Sequence, residues 1–92
     1  MITAIVFVET DVAAIAEVAR QIADLDGVTE VYSVTGRVDL IAIVRVASND
    51  AVAEVVTDRL NTVPGVVRTE THIAFRAYSR HDLEAAFSLG VS

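Results

Sequence analysis

Apolar and polar positions change their period several times along this chain, and each change marks an element. Ile2 to Val8 is apolar and β-rich, which predicts a first strand. Asp11 then stands as a cap, and Ile15, Val18, Ile22 and Leu25 recur three or four apart, the spacing of one helix face. The turn LDGV, Leu25 to Val28, leads into a second strand. There Val28, Glu30, Tyr32 and Val34 alternate with Thr29, Val31, Ser33 and Thr35. Gly36 predicts a hairpin turn, and Val38 to Val46 a third strand. Ser48 to Asp50 offers caps for a second helix that carries Val52, Val55, Val56 and Leu60 on one face. VPGV, Val63 to Val66, ends that helix, and Val67 to Ala77 predicts a fourth strand. Ser79 and Asp82 have the spacing of a capping box for a short tail helix, Arg80 to Leu89.

The two halves echo each other. Shifted by about 38 positions, LDGVTEV falls on VPGVVRT, and Ile5 to Val8 falls on Ile43 to Val46. Two successive βαβ units of this kind give βαββαβ, an α+β fold of the ferredoxin-like type. Its two helices lie on one face of a four-stranded antiparallel sheet, and residues 1–92 form a single domain. The other face raises a difficulty. In the third strand Leu40, Ala42, Val44 and Val46 point one way and Ile41 and Ile43 the other. In the first strand Ala4, Val6 and Val8 oppose Ile5 and Phe7. A sheet with one wet face should alternate apolar with polar, and this one does not. The uncovered face therefore predicts a homo-oligomer, most simply a homodimer packed sheet to sheet.

Composition agrees. Hydrophobic residues make up 53% of the 92, and mean hydropathy is +0.52, a surplus that a partner surface would absorb. The net charge of −6 and the scattering of the seven basic residues argue against nucleic acid as a direct partner, since phosphate binding needs clustered Lys and Arg. Cysteine is absent, which excludes disulfides and thiol catalysis. No basic segment followed by a long apolar run marks a signal peptide, and no run approaches the ~20 apolar residues of a membrane span. A cytoplasmic protein without membrane contact is expected.

Candidate chemistry is sparse. His72 and His81 have no carboxylates at ligand spacing beside them, so no metal and no cofactor are expected. Ser79, His81 and Asp82 lack the strained turn of a nucleophile. The hairpin is different. Gly36 can adopt positive φ and present backbone N–H groups to a carboxylate. Asp39 can accept from an ammonium group, and Thr35 adds a hydroxyl. Thr69 and Thr71, two apart on the fourth strand, project to one face with two more hydroxyls. Together these suit the head of an α-amino acid. An ordinary hairpin with a solvated Asp accounts for the same residues.

GVTEVYSVTGRVDLIAIVRV followed by LNTVPGVVRTETHIAF resembles the RAM domain, the ligand-sensing half of the Lrp/AsnC transcription regulators. The marks are V-x-G-x-x-D, here Val34, Gly36 and Asp39, and P-G-V-x-x-T-x-T, here Pro64, Gly65, Val66, Thr69 and Thr71. The resemblance covers residue 2 to about residue 78. It implies an amino-acid effector module that regulates amino-acid metabolism or transcription and is not an enzyme. It also implies homodimers joined into a higher ring, with ligand held between subunits by Thr35, Gly36, Arg37, Asp39, Thr69 and Thr71. Arg37 stands where the family often has an acidic residue and Val38 where it often has an aromatic one. No helix-turn-helix half is visible, so a stand-alone form is expected, acting alone or joined to full-length Lrp/AsnC regulators. The competing function is a dimeric α/β-barrel enzyme of the small monooxygenase kind, which would need a polar catalytic group between sheet and helices.

Overall fold

A computed structural model describes residues 1–80. Four strands form one antiparallel sheet: β1 (Ile2–Thr10), β2 (Val28–Ser33), β3 (Leu40–Val46) and β4 (Val66–Ile73), in the order β2-β3-β1-β4. Helix α1 (Ile15–Ala23) joins β1 to β2. The second helix joins β3 to β4; it begins as α2 (Asn49–Ala53), widens to π geometry over Glu54–Arg59 and tightens to a 3-10 turn over Leu60–Thr62. This is the ferredoxin-like βαββαβ arrangement expected from the periods. No helix among the described residues is long and apolar enough to cross a membrane. The expected tail helix, with His81 and the Ser79–Asp82 box, lies outside the described residues beyond Arg80.

The two β1 registers decide which side chains share a face. Val6 pairs with Ala42 on one side and Thr71 on the other, and Phe7 with Ile41 and Glu70. Even-numbered positions of β1 and β3 thus face the helices. Ala4, Val6, Val8, Leu40, Ala42 and Val44 are fully buried there against Val18, Ile22, Val52, Val55, Val56 and Leu60. The opposite, open face carries the half-buried Ile5, Phe7, Ile41 and Ile43.

Element ends depart from the sequence expectation, and in each case a backbone partner decides. β4 stops at Ile73 rather than Ala77: Ile73 pairs with Ala4 and Ala74 N–H reaches the Thr3 carbonyl (2.9 Å), after which β1 is almost exhausted. β1 runs on to Thr10 because the start of β4 pairs with it, across a register shift between Glu9 and Thr10. The hairpin is not a tight turn at Gly36. β2 ends at Ser33, β3 begins at Leu40, and the loop between them is closed by Val34 N–H donating to the Asp39 carbonyl at 3.0 Å. Gly36 keeps its expected positive φ, 106°. Asp11 caps through its backbone: its carbonyl accepts from Ala14 N–H (2.9 Å), which forms a 3-10 turn over Val12–Ala14, and its side chain makes no cap bond. Ser48 does cap by its side chain, accepting from Ala51 N–H at 3.1 Å.

Candidate functional site

Asp39 sits at the head of β3, and the fold uses it twice. Its N–H donates to the Val8 carbonyl (3.0 Å), which continues the β1–β3 ladder past Leu40. Its carboxylate Oδ2 accepts from Thr10 N–H at 2.8 Å. Thr10 lies at the register shift, where the ladder to β4 is disturbed, and is 6% exposed. A buried N–H without a partner costs about 1–3 kcal/mol, so the carboxylate supplies a bond the strand geometry withholds. One side of the carboxylate is pinned, in a residue that is half-buried as a whole.

Val8 lies between the two halves of the expected site. Asp39 bonds it from the β3 side, and Thr69 pairs with it from β4. Two strand spacings, roughly 10 Å, therefore separate the hairpin from Thr69. Arg37 spans that gap over the open face, its Nη2 3.7 Å from Glu70 Oε2. Arg37 and Thr69 line one small concavity of about 70 Å³ with Phe7, Glu9, Arg68 and Glu70. The Thr69 hydroxyl, on the helix side, donates to Asn61 Oδ1 at 2.7 Å. Thr35 and Gly36 are exposed in the hairpin loop. Thr71 is not part of this group. It lies further along β4 and lines a separate groove with Val52, Val56 and Ile73.

Three polar groups that line the concavity went unremarked in the sequence: Glu9, Arg68 and Glu70. The signal for two of them is the period of two in β4, which sets residues 68 and 70 on the open face. His72, weighed in the sequence only as a metal ligand, shares that face. His72 Nε2 lies 2.8 Å from Glu70 Oε2, and its ring stands edge-on to Phe7, centroids 5.2 Å apart at 90°. The His72 hydrogen bond, and secondly the Arg37 charge, hold the Glu70 carboxyl below its ordinary 4.5. A depressed carboxyl stabilises the fold above its ordinary pKa, and that contribution disappears as pH falls through the lowered folded value. A carboxyl-detected NMR titration should therefore find Glu70 below 4.5. His72→Ala should return it toward 4.5 by more than Arg37→Ala does. An unshifted wild-type midpoint would mean the Arg37–Glu70–His72 chain does not form in solution.

Between sheet and helices the picture is apolar. Thr10 is the one buried polar residue among the described residues, and its hydroxyl donates to the Asp11 carbonyl at 3.2 Å.

The sequence model of the Lrp/AsnC ligand binding domain matches residues 3–83. This chain belongs to that family. Among curated relatives of the Lrp/AsnC domain, an uncharacterized HTH-type transcriptional regulator of Pyrococcus furiosus is 41% identical over 59 residues, 64% of this chain. The chain spans only 39% of that regulator's length. A crystal structure from Thermus thermophilus is 45% identical, with a TM-score of 0.82, and covers 87% of this chain and 100% of its own. The feast or famine regulatory protein of M. tuberculosis, complexed with L-methionine, is 27% identical with a TM-score of 0.72, over 87% of this chain and 54% of its own. The Lrp/AsnC fold thus carries, in this chain, the V-x-G-x-x-D hairpin and the threonine strand on either side of β1.

Proposed function

We propose that this Lrp/AsnC domain is an amino-acid effector module that works as a homo-oligomer and leaves DNA reading to other domains or partners. The single observation that carries the reading is the half-buried Asp39 carboxylate, fixed by Thr10 N–H through one oxygen. It is a pre-oriented acceptor for an ammonium group, and pre-orientation lowers the entropic cost of binding. Exposed N–H groups of the loop at Thr35, Gly36 and Arg37 suit the ligand carboxylate. The hydroxyls of Thr69 and Thr71 complete the pocket from a neighbouring copy, since one copy alone sets Thr71 apart from the hairpin. A complexed L-methionine in a relative of the same fold supports an amino acid as the ligand class.

Oligomers follow from the open face. Ile5, Phe7, Ile41 and Ile43 form its apolar centre, with Tyr32 51% exposed beside them. Two such faces packed together, with twofold symmetry, remove that surface from water at about 25 cal/mol per Å². Dimers joined further into a ring would bring a hairpin of one pair to the threonine strand of the next. In the cytoplasm such a module would answer to amino-acid pools, alone or alongside full-length Lrp/AsnC regulators. Among the described residues Thr10 is the one polar residue buried between sheet and helices, and its hydroxyl is engaged with the Asp11 carbonyl, which does not favour a monooxygenase-like enzyme.

A thermal-shift screen of the twenty amino acids tests this. A ligand that binds only the native state adds about 2.7 kcal/mol at a hundred times its Kd. For a domain of this size that is a rise on the order of 10–20 °C. At least one amino acid should produce it, and a flat response to all twenty at millimolar concentration would refute the reading.

A further inference from the structure

The open face is built on two rungs that cross all four strands. Glu30, Ile43, Ile5 and His72 form one, and Tyr32, Ile41, Phe7 and Glu70 form the other. Each rung is apolar in its two central strands and polar at both edges. On the β2 edge the Glu30 carboxylate accepts from the Tyr32 hydroxyl. On the β4 edge His72 Nε2 lies 2.8 Å from the Glu70 carboxylate. The His72 side chain is 56% exposed and that of Glu70 51%, so a second face laid on this one would cover both.

We propose that this face selects a second copy of the chain through its polar edges, and that each His72 takes up a proton as the two faces meet. The inference rests on the open-face pairing of the proposed function. Two faces that cover each other's apolar centres are related by a twofold axis in the plane between them, running along the strands or across them. With the axis along the strands, β2 of one copy lies over β4 of the other, and the partner's Glu30 meets His72. With the axis across them, β4 lies over β4, and the partner's Glu70 meets His72. The twist of roughly 30° between packed sheets displaces edge residues by about 4 Å, less than a strand spacing of about 4.8 Å. Either way, a carboxylate of the partner arrives at an imidazole that already holds one of its own. A neutral imidazole has one N–H donor and an imidazolium has two. Neutral His72 would leave a desolvated carboxylate without a donor, a costly arrangement. Protonated His72 can bond both. The other charged groups of this face do not stand in for it. Arg37 approaches Glu70 only to 3.7 Å, Glu9 and Arg68 lie one rung nearer the hairpin, and Arg45 stands beyond Ile43, opposite Thr3. Ile5 and Phe7, the β1 residues next to His72, carry no charge. A partner of different sequence would need both the apolar centre and the carboxylate in register, whereas twofold symmetry supplies both from the same residues.

Dissociation constants of the full-length dimer at about pH 8 and about pH 6 test this, because an imidazole titrates between them. Association that takes up protons strengthens as pH falls. One unit of pKa shift is worth tenfold and two symmetric sites act, so self-association should be roughly tenfold to a hundredfold tighter at the lower pH. The chain has two histidines, which makes the assignment direct. His72→Gln should stay folded and dimeric with an affinity that changes less than about twofold between the two conditions, and His81→Gln should keep the full dependence. Glu30→Gln should abolish the dependence if the axis runs along the strands. If it does not, Glu70→Gln should abolish it. For a dimer too tight to dilute apart, the difference in urea midpoint between the two pH values reads the same linkage. A wild-type dimer of unchanged affinity would overturn the inference. So would a dependence that survives in His72→Gln, or in both glutamate variants. A wild type that is monomeric at both pH values would refute the open-face pairing as well, so the two failures are told apart.

Discussion

Val44→Asp should leave the chain unfolded, whereas Ile43→Asp, one residue away, should leave it folded and dissociated. The difference is the face. Val44 is fully buried between the sheet and the helices. A carboxylate there has no partner, and an unpaired buried charge costs about 3–5 kcal/mol. A small domain has only ~5–15 kcal/mol in all, so most or all of its stability would be lost. Ile43 points to the open face, opposite Ile5 and beside Glu30. A charge there stays solvated in one copy but must be desolvated when two faces meet. By twofold symmetry each contact would receive two such charges. The same cost of about 3–5 kcal/mol then appears as a loss of association on the order of a hundredfold to a thousandfold or more. Circular dichroism and sedimentation velocity of both variants separate the outcomes. Folded Val44→Asp protein would contradict the assignment of faces, and an intact Ile43→Asp oligomer would contradict pairing through the open face.

The second large effect concerns two glycines of equal backbone strain and unequal surroundings. Gly65 and Gly36 have φ of 98° and 106°, a region that L side chains rarely adopt. A Cβ on Gly65 would lie 2.8 Å from Val18 Cγ2 and 3.1 Å from Ala14 Cβ. Val18 is fully buried in α1 and has no room to retreat. Backbone strain of about 1–3 kcal/mol and overpacking of about 1–3 kcal/mol then add. A Cβ on Gly36 meets nothing within 4 Å, so only the first cost remains. Urea unfolding should show Gly65→Ala losing roughly twice as much stability as Gly36→Ala. Equal losses would mean that α1 does not press on the VPGV turn as described.

Local chemistry explains why the fold could be read from the sequence. Period-two and period-three-to-four runs set the order of elements. Gly27, Gly36 and Gly65 fell at turns, and all three have positive φ. The apolar residues on both faces of β1 and β3 already separated Val44 from Ile43. Strand ends were not legible, because they depend on where the neighbouring strand runs out, as β4 shows at Ile73. The π segment of the second helix was hidden for a related reason. Val52, Val56 and Leu60 are four apart, a spacing that an α-turn and a wider π-turn both accept.

At the candidate site the residues were legible and their arrangement was not. Asp39 and Thr10 are 29 positions apart, and only the meeting of β3 with β1 brings the carboxylate to that backbone N–H. Arg37 meets Glu70 in the same way, across β1. Thr69 and Thr71 share a face as expected, yet one bonds Asn61 and the other lines the α2 groove. A spacing of two fixes a shared face and says nothing of which neighbour each residue meets.

Asp39 is where the structural role and the proposed functional one coincide, and calorimetry on one conservative variant separates them. Asp39→Asn retains an oxygen that can accept from Thr10 N–H but removes the charge that pairs with an ammonium group. A charge-assisted hydrogen bond contributes roughly 1.5–3 kcal/mol and a neutral hydroxyl roughly 0.5–1.5 kcal/mol. The amino acid that stabilises the wild type should thus bind Asp39→Asn about tenfold or more weakly. Thr71→Val should lose less affinity than that, and the sedimentation of both variants should be unchanged. Wild-type affinity in Asp39→Asn would contradict the account and leave the carboxylate as a backbone brace alone.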